Sequence, residues 1–175
     1  MTKHFIKEQY DVEEPDARRS YSTGTRREDY ADSWKNTGNI IFVGLAGSGR
    51  MALSGLLSER TGLNVQVPVN PEDAVEALGA NGQIVVLDDG LVENEGVRVG
   101  IHAAGKVFYL MAESRTLSSR LAERQGIADA EQLWLDMSAR LAVMEPVFYS
   151  VLHFILQAGQ SPESLLDDAL EKIAF

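Results

Sequence analysis

Residues 39–51 read N-I-I-F-V-G-L-A-G-S-G-R-M, and this stretch decides the fold. Its last eight residues keep the glycine spacing of the phosphate-binding pattern G-x-x-x-x-G-K-[ST], with Gly44 and Gly49 at the two fixed positions. Arg50 stands where the pattern has lysine, and Met51 stands where it has the hydroxyl that binds magnesium. The stretch therefore predicts a strand, a phosphate-binding loop and a helix, without the two side chains on which the loop's chemistry depends.

The loop itself depends mainly on backbone, because glycines let successive N–H groups point at phosphate oxygens and the following helix adds its positive end. We therefore expect ATP or ADP as ligand, with candidate contacts at Gly44, Ala46, Gly47, Ser48, Gly49, Arg50 and Met51. Arg50 keeps a positive charge but is bulkier than lysine, and Met51 offers no oxygen to Mg²⁺, so a role for the metal is doubtful. A glycine-rich turn that only packs helix against strand is the alternative.

From residue 39 onward, short apolar runs alternate with helical segments. The predicted strands are 39–43, 65–69, 84–87, 106–111 and 151–156, and the main predicted helices are 51–60, 71–78, 114–124, 129–143 and a last one opened by Ser161. Strands separated by helices favour a parallel sheet with helices on both faces. We expect an α/β three-layer sandwich with five parallel strands in the order 2-3-1-4-5 and the loop at the carboxyl end of the central strand.

Residues 1–37 differ from the rest of the chain, since their apolar residues are sparse and aperiodic. We interpret them as a polar N-terminal extension, and residues 38–175 as one P-loop domain. The arginine pairs within 18–27 make this segment a candidate docking site for a protein partner. A solvated tail is the alternative.

Composition narrows the classes of function. The formal charge of −10 disfavours nonspecific nucleic-acid binding and makes the body a poor electrostatic attractor for ATP. The chain has no cysteine, which excludes thiol catalysis and thiolate metal sites. It has no run of 18 apolar residues and no apolar signal core, so we expect no membrane span and a cytoplasmic protein.

Two further sites carry candidate chemistry. The run Ile84–Leu87 ends in Asp88, an arrangement typical of the Walker B acid that holds Mg²⁺, although a helix cap or loop acid is the alternative. Arg124, just before a loop, is the best candidate for a lid arginine that stabilises the transferring phosphoryl group. Arg115, Arg120 and Arg140 are weaker candidates, and a solvated helix face is the alternative for each.

The pattern from residue 39 to 174 resembles the shikimate kinase family. The stretches that carry the resemblance are NIIFVGLAGSGR, KVFYLMAESRTLSSRLAER, MEPVFYSVLHFIL and GQSPESLLDDALEKI. The resemblance implies a nucleoside-monophosphate-kinase-like fold, an ATP-dependent phosphotransferase activity and a segment at 159–163 that flanks adenine.

The departures from the family are concentrated at positions that bind the acceptor, bind the metal or take part in phosphoryl transfer. The Asp-x-Asp after strand two is Val67-Pro68-Val69, the shikimate-binding insert shrinks to 71–82, and the carboxylate-binding arginine is Met144. We therefore expect a catalytically impaired pseudoenzyme that binds a nucleotide or a partner. The alternative is a working ATP-dependent small-molecule kinase, either a shikimate kinase or a related phosphotransferase, that uses Arg50, Asp88 and Arg124 as catalytic residues, with Asp88 on the metal.

Overall fold

The computed structural model describes residues 38–175, so the predicted extension at 1–37 and its docking segment lie outside the described residues. Strands and helices alternate through most of this part of the chain. The elements are β1 (Asn39–Val43), α1 (Arg50–Thr61), β2 (Val65–Gln66), α2 (Pro71–Gly79), β3 (Ile84–Val86), α3 (Asp89–Glu93), α4 (Glu95–Ile101), β4 (Gly105–Met111), α5 (Ser114–Gln125), α6 (Ala130–Val151), β5 (Phe154–Gln157) and α7 (Pro162–Ile173).

The five strands form one parallel sheet in the order β2-β3-β1-β4-β5, which confirms the predicted fold class and strand order. The central strand β1 pairs with β3 through Ile41 opposite Val85, and with β4 through Ile41 opposite Val107. All carboxyl ends of the strands meet at one edge of the sheet. The order of connection reverses at β1, and a crevice at such a reversal is where α/β sheets bind ligands.

Helices cover both faces of the sheet, because every residue of β1 is buried and alternate side chains enter two separate cores. Ile41 and Val43 pack with helices α2 to α6 on one face. Ile40 and Phe42 pack with α1 and α7 on the other face. Among the described residues, no helix combines the length and the apolarity needed to cross a membrane.

The structure departs from the predicted elements mainly in three places. The second strand stops at Gln66, before Pro68, because proline cannot donate to a ladder. The fifth strand begins at Phe154 rather than Val151, since α6 continues through Pro146 to Val151. Two short helices, α3 and α4, occupy residues 89–101, where the sequence pattern predicted no helix.

Candidate functional site

The loop between β1 and α1 lies at the carboxyl end of the central strand. Gly47 and Gly49 have φ of 87° and 91°, a left-handed backbone that favours glycine. A β-carbon on Gly47 would lie 2.8 Å from the carbonyl oxygen of Leu117 on α5. Only glycine therefore lets the loop adopt this turn while the backbone of α5 packs directly against it.

The first turn of α1 has no side-chain cap. Gly49 occupies the N-cap position and makes no side-chain hydrogen bond, whereas α2, α3, α4, α6 and α7 each begin with a side chain that accepts a backbone N–H. The hydroxyl of Ser48, within the loop, is buried and has no hydrogen-bond partner. Unsatisfied donors at a helix start, next to an unpartnered buried hydroxyl, are what a bound phosphate group would satisfy.

A cavity of about 520 Å³ opens beside this loop. Its lining comes from the loop, the start of α1, helix α5 and the β5–α7 connection: Gly47, Ser48, Gly49, Ala52, Leu53, Arg120, Glu123, Arg124, Ala158, Gln160, Pro162 and Leu165. The volume falls within the range of small-molecule sites, about 300–1,000 Å³. The cavity therefore has the size and position for a nucleotide whose phosphates meet the loop.

Arg120 joins the two walls of the cavity. Its Nη1 donates to the Gly47 carbonyl oxygen at 3.3 Å, and its Nη2 donates to the Ala158 carbonyl oxygen at 2.7 Å. Arg124, the predicted lid arginine, also lines the cavity but makes no such link. Sequence reasoning ranked Arg124 above Arg120, because no local pattern shows which face of α5 meets the loop.

Arg50 points away from this cavity. Its Nη1 donates to the carbonyl oxygen of Leu87, just beyond β3, and the side chain does not line the cavity beside the loop. Burial lowers the pKa of the Arg50 guanidinium, and the nearby carboxylates of Asp89 and Asp88 oppose that shift. The guanidinium is therefore an internal cation at the end of β3, rather than a side chain reaching over the loop.

The acids after β3 are also engaged. Asp88 Oδ1 accepts the Leu91 N–H at 2.8 Å and so caps α3, as the sequence alternative described. Asp89 Oδ2 accepts from Arg140 Nε at 2.6 Å, and Glu93 Oε2 accepts from Arg140 Nη2 at 2.8 Å. Arg140, one of the candidate arginines, thus joins α6 to α3 and does not line the cavity beside the loop.

The donor set does not fit Mg²⁺, which the fold family implies. Met51 is 56% exposed and carries no oxygen on its side chain. Ser54, the nearest hydroxyl along α1, donates to the Met51 carbonyl oxygen at 2.8 Å. No cluster of three metal-ligating side chains occurs in residues 38–175. Mg²⁺ prefers oxygen ligands; Met51 supplies none from its side chain, and Asp88 and Asp89 each already commit one carboxylate oxygen to a backbone N–H or to Arg140.

Other predicted loop contacts divide between buried and exposed positions. Gly44 is buried, and a β-carbon there would lie 3.0 Å from both the Ser48 hydroxyl and the Leu110 carbonyl oxygen. Ala46 is exposed at the outer turn of the loop. The roles of Gly44, Ala46 and Met51 in nucleotide binding stay predictions.

His153 lies just before β5 and is exposed, although His102 covers one face of its ring. Its Nδ1 accepts the Val107 N–H at 3.1 Å, and its ring stacks on His102 with centroids 3.9 Å apart. This contact lies at the amino end of β5, at the opposite edge of the sheet from the loop.

Sequence comparison finds relatives that match part of the chain. The chain is 31% identical over 104 residues to shikimate kinase 2 of Syntrophotalea carbinolica, and 27% identical over 105 residues to that of Pectobacterium carotovorum. Each match covers 57% of this chain and 60–61% of the relative, so the chain spans about three fifths of the curated relatives' length. No protein-family model matches the chain.

Solved structures show the same fold at low identity. A shikimate kinase from Acinetobacter baumannii, solved with shikimate, aligns with a TM-score of 0.67 at 16% identity, covering 82% of this chain and 94% of that one. The YorR protein of Bacillus subtilis, solved with phosphorylated GDP, aligns with a TM-score of 0.63 at 18% identity, covering 77% and 95%. The chain therefore has a P-loop kinase fold. Over the part that is matched, its sequence is similar to shikimate kinases.

Proposed function

We propose that this chain is a shikimate-kinase-like pseudoenzyme, which binds a nucleoside di- or triphosphate but does not transfer a phosphoryl group to shikimate. The observation that carries the proposal is the orientation of Arg50, whose guanidinium bonds to the Leu87 carbonyl instead of lining the nucleotide cavity. The loop thereby retains its backbone N–H donors but lacks a cation that would contact the phosphoryl group during its transfer. Arg50 and Met51 replace the loop lysine and the metal-binding hydroxyl. Loss of each of these groups removes roughly 3 kcal/mol of transition-state stabilisation.

Nucleotide binding is supported by the open groups of the loop. The uncapped start of α1, the unpartnered Ser48 hydroxyl and the adjoining cavity lie together. Arg120 and Arg124 supply positive charge on the cavity wall, which an otherwise acidic protein needs for an anionic ligand. ADP and ATP are the ligands that this chemistry favours.

Loss of the shikimate site is supported by the other side of the loop. The connection from β2 to β3 holds the single helix α2, of nine residues, in place of the longer shikimate-binding insert that is typical of the family. Met144 is fully buried in the core, so it offers nothing to a carboxylate. Arg140 is engaged by Asp89 and Glu93, so an anionic acceptor gains that arginine only by breaking both bonds.

A working small-molecule kinase is the second candidate, and Arg124 at the cavity is the observation that favours it. In that case Arg50 and Asp88 would have to leave their present partners when nucleotide binds. The acceptor would be a molecule other than shikimate, since nothing at the end of β3 provides a free carboxylate-binding arginine.

Calorimetry with ADP and a coupled assay for ADP release in the presence of ATP and shikimate test the proposal together. We expect ADP binding and no turnover above background. The double variant Arg50→Lys/Met51→Thr should bind ATP more tightly yet still fail with shikimate, because it repairs only the loop. Turnover with shikimate in either protein would refute the pseudoenzyme assignment, and absence of ADP binding would refute the nucleotide site.

A further inference from the structure

We propose that the Arg50 guanidinium takes the place of the divalent cation, so that the site selects metal-free nucleotide and Mg²⁺ weakens binding. This inference rests on the proposed nucleotide binding and adds to it an antagonism between the metal and the protein. A protein that merely lacked a metal ligand would bind both forms of the nucleotide equally.

The position of Arg50 is the first step of the argument. It is the first residue of α1, directly after the loop, and its guanidinium reaches the Leu87 carbonyl beyond β3. The carboxylates of Asp88 and Asp89 are close enough to interact with its charge. The guanidinium thus lies between the loop and the acidic end of β3, which is where a P-loop protein places its metal ion between phosphate and Walker B acid.

The neighbouring carboxylates are already partnered, which is the second step. Asp88 Oδ1 caps α3 at 2.8 Å from the Leu91 nitrogen, and Asp89 Oδ2 lies 2.6 Å from Arg140 Nε. A cation entering here would compete for carboxylates that already cap a helix or bond to Arg140, and it would meet the positive charge of Arg50. Each of these changes costs free energy that the metal complex of the nucleotide does not recover from Met51.

The charge of the ligand is the third step. Mg²⁺ removes two negative charges from ADP, and with them part of the attraction to the loop N–H groups and to Arg120 and Arg124 on the cavity wall. The acidic body of the protein acts in the opposite direction, since it repels the more highly charged free nucleotide. That repulsion is spread over the surface and is screened within about 8 Å at physiological ionic strength. The local contacts therefore determine the sign.

The test is calorimetry of the full chain with ADP, in excess EDTA and in excess MgCl₂ at equal ionic strength. We expect the dissociation constant to rise about tenfold in Mg²⁺. Tighter binding in Mg²⁺, or equal affinity in both, would overturn the inference while leaving the nucleotide site in place. No ADP binding in either buffer would overturn both. The comparison uses the unaltered protein, so it does not depend on any variant folding.

Two variants locate the effect. Arg50→Lys/Met51→Thr restores a compact cation and a hydroxyl, and we expect Mg²⁺ to strengthen its ADP binding. Arg60→Lys makes the same arginine-to-lysine change at the exposed last turn of α1, and it should keep the antagonism of the unaltered chain. Circular dichroism checks that each variant is folded. Loss of the antagonism in Arg60→Lys, or its persistence in the double variant, would contradict the assignment to Arg50.

Discussion

The two sides of the phosphate-binding loop differ in how their polar groups are satisfied. On the side of α5 and α7, the start of α1 has no cap, the Ser48 hydroxyl has no partner and a cavity adjoins both. On the side of β3, each charged group that we describe has a partner within the protein: Arg50 with Leu87, Asp88 with Leu91, and Asp89 and Glu93 with Arg140.

The proposed function interprets this difference as one half of a binding site that is kept and another half that is lost. The side of α5 and α7 depends on glycine backbone and helix geometry, which survive changes in side chains. The side of β3, where an acceptor would bind under that proposal, depends on free side chains, and the charged groups described there have partners within the protein.

Substituting Gly47→Ala should have the largest effect. The new β-carbon would lie 2.8 Å from the Leu117 carbonyl oxygen, at a backbone φ of 87°. We expect the free energy of unfolding to fall by about 2–3 kcal/mol and ADP binding to be lost. Chemical denaturation and calorimetry measure the two effects.

Gly55→Ala is the matched control for that substitution. Gly55 is an exposed helical residue of α1 with nothing within 4 Å of a new β-carbon, so we expect a gain of about 0.5–1 kcal/mol and unchanged ADP affinity. Equal stability losses at both glycines would show that Gly47 does not limit the packing of α5.

Arg120→Met should have the next largest effect, because it removes both links between the loop and the β5–α7 connection. We expect a loss of about 2 kcal/mol in unfolding free energy and about tenfold weaker ADP binding. Arg115→Met, on the same helix, removes only a contact over the Trp134 ring and should leave ADP affinity unchanged. Unaltered ADP binding in Arg120→Met would place the nucleotide elsewhere.

Arg140→Met tests the β3 side and should cost less. The side chains of Arg140, Asp89 and Glu93 are 25–49% exposed, so we expect a loss of about 0.5–1 kcal/mol that decreases with added salt. ADP affinity should not change. A large loss of ADP binding in this variant would contradict the separation between the two sides.

His153 offers the smallest test, at the opposite edge of the sheet. Burial, His102 and Lys106 together lower the pKa of His153, and protonation would also remove the acceptor for the Val107 N–H. The folded state binds the His153 proton more weakly than the unfolded state does. The stabilising effect of the neutral imidazole is therefore present above the unfolded pKa of about 6.5, and it is lost as the pH falls through the lower pKa of the folded state. The pH profile of unfolding should flatten in His153→Gln, with ADP affinity at neutral pH unaffected.

The sequence predicted the fold well because the signals were local. Glycine spacing at Gly44 and Gly49 indicated the loop, and the buried runs between helices gave the parallel sheet with its strand order. The helices after β3 were missed, although Asp88 and Asn94 both have the side chains of good helix caps. The residues Asp88-Asp89-Gly90 are also typical of a turn. Helices α3 and α4 have only five and seven residues, so they are too short for the spacing of apolar residues to reveal them.

The site could be predicted only as far as the backbone determines it. The residue types at positions 50 and 51 showed that the usual lysine and hydroxyl were missing. They did not show that Arg50 turns toward Leu87, because this depends on a carbonyl 37 residues away in sequence. The pairing of Arg140 with Asp89, 51 residues apart, was equally invisible, since either residue alone is typical of a solvated surface.

Amide chemical shifts of the isotopically labelled chain, recorded during separate titrations with ADP and with shikimate, test the central claim most directly. We predict that ADP shifts the backbone N–H signals of Gly47, Ser48 and Gly49 to saturation. Shikimate should leave those signals, and the signals of Asp89 and Glu93, unchanged at concentrations where ADP saturates. Saturable shifts with shikimate at the end of β3, or no response of the loop to ADP, would contradict the account.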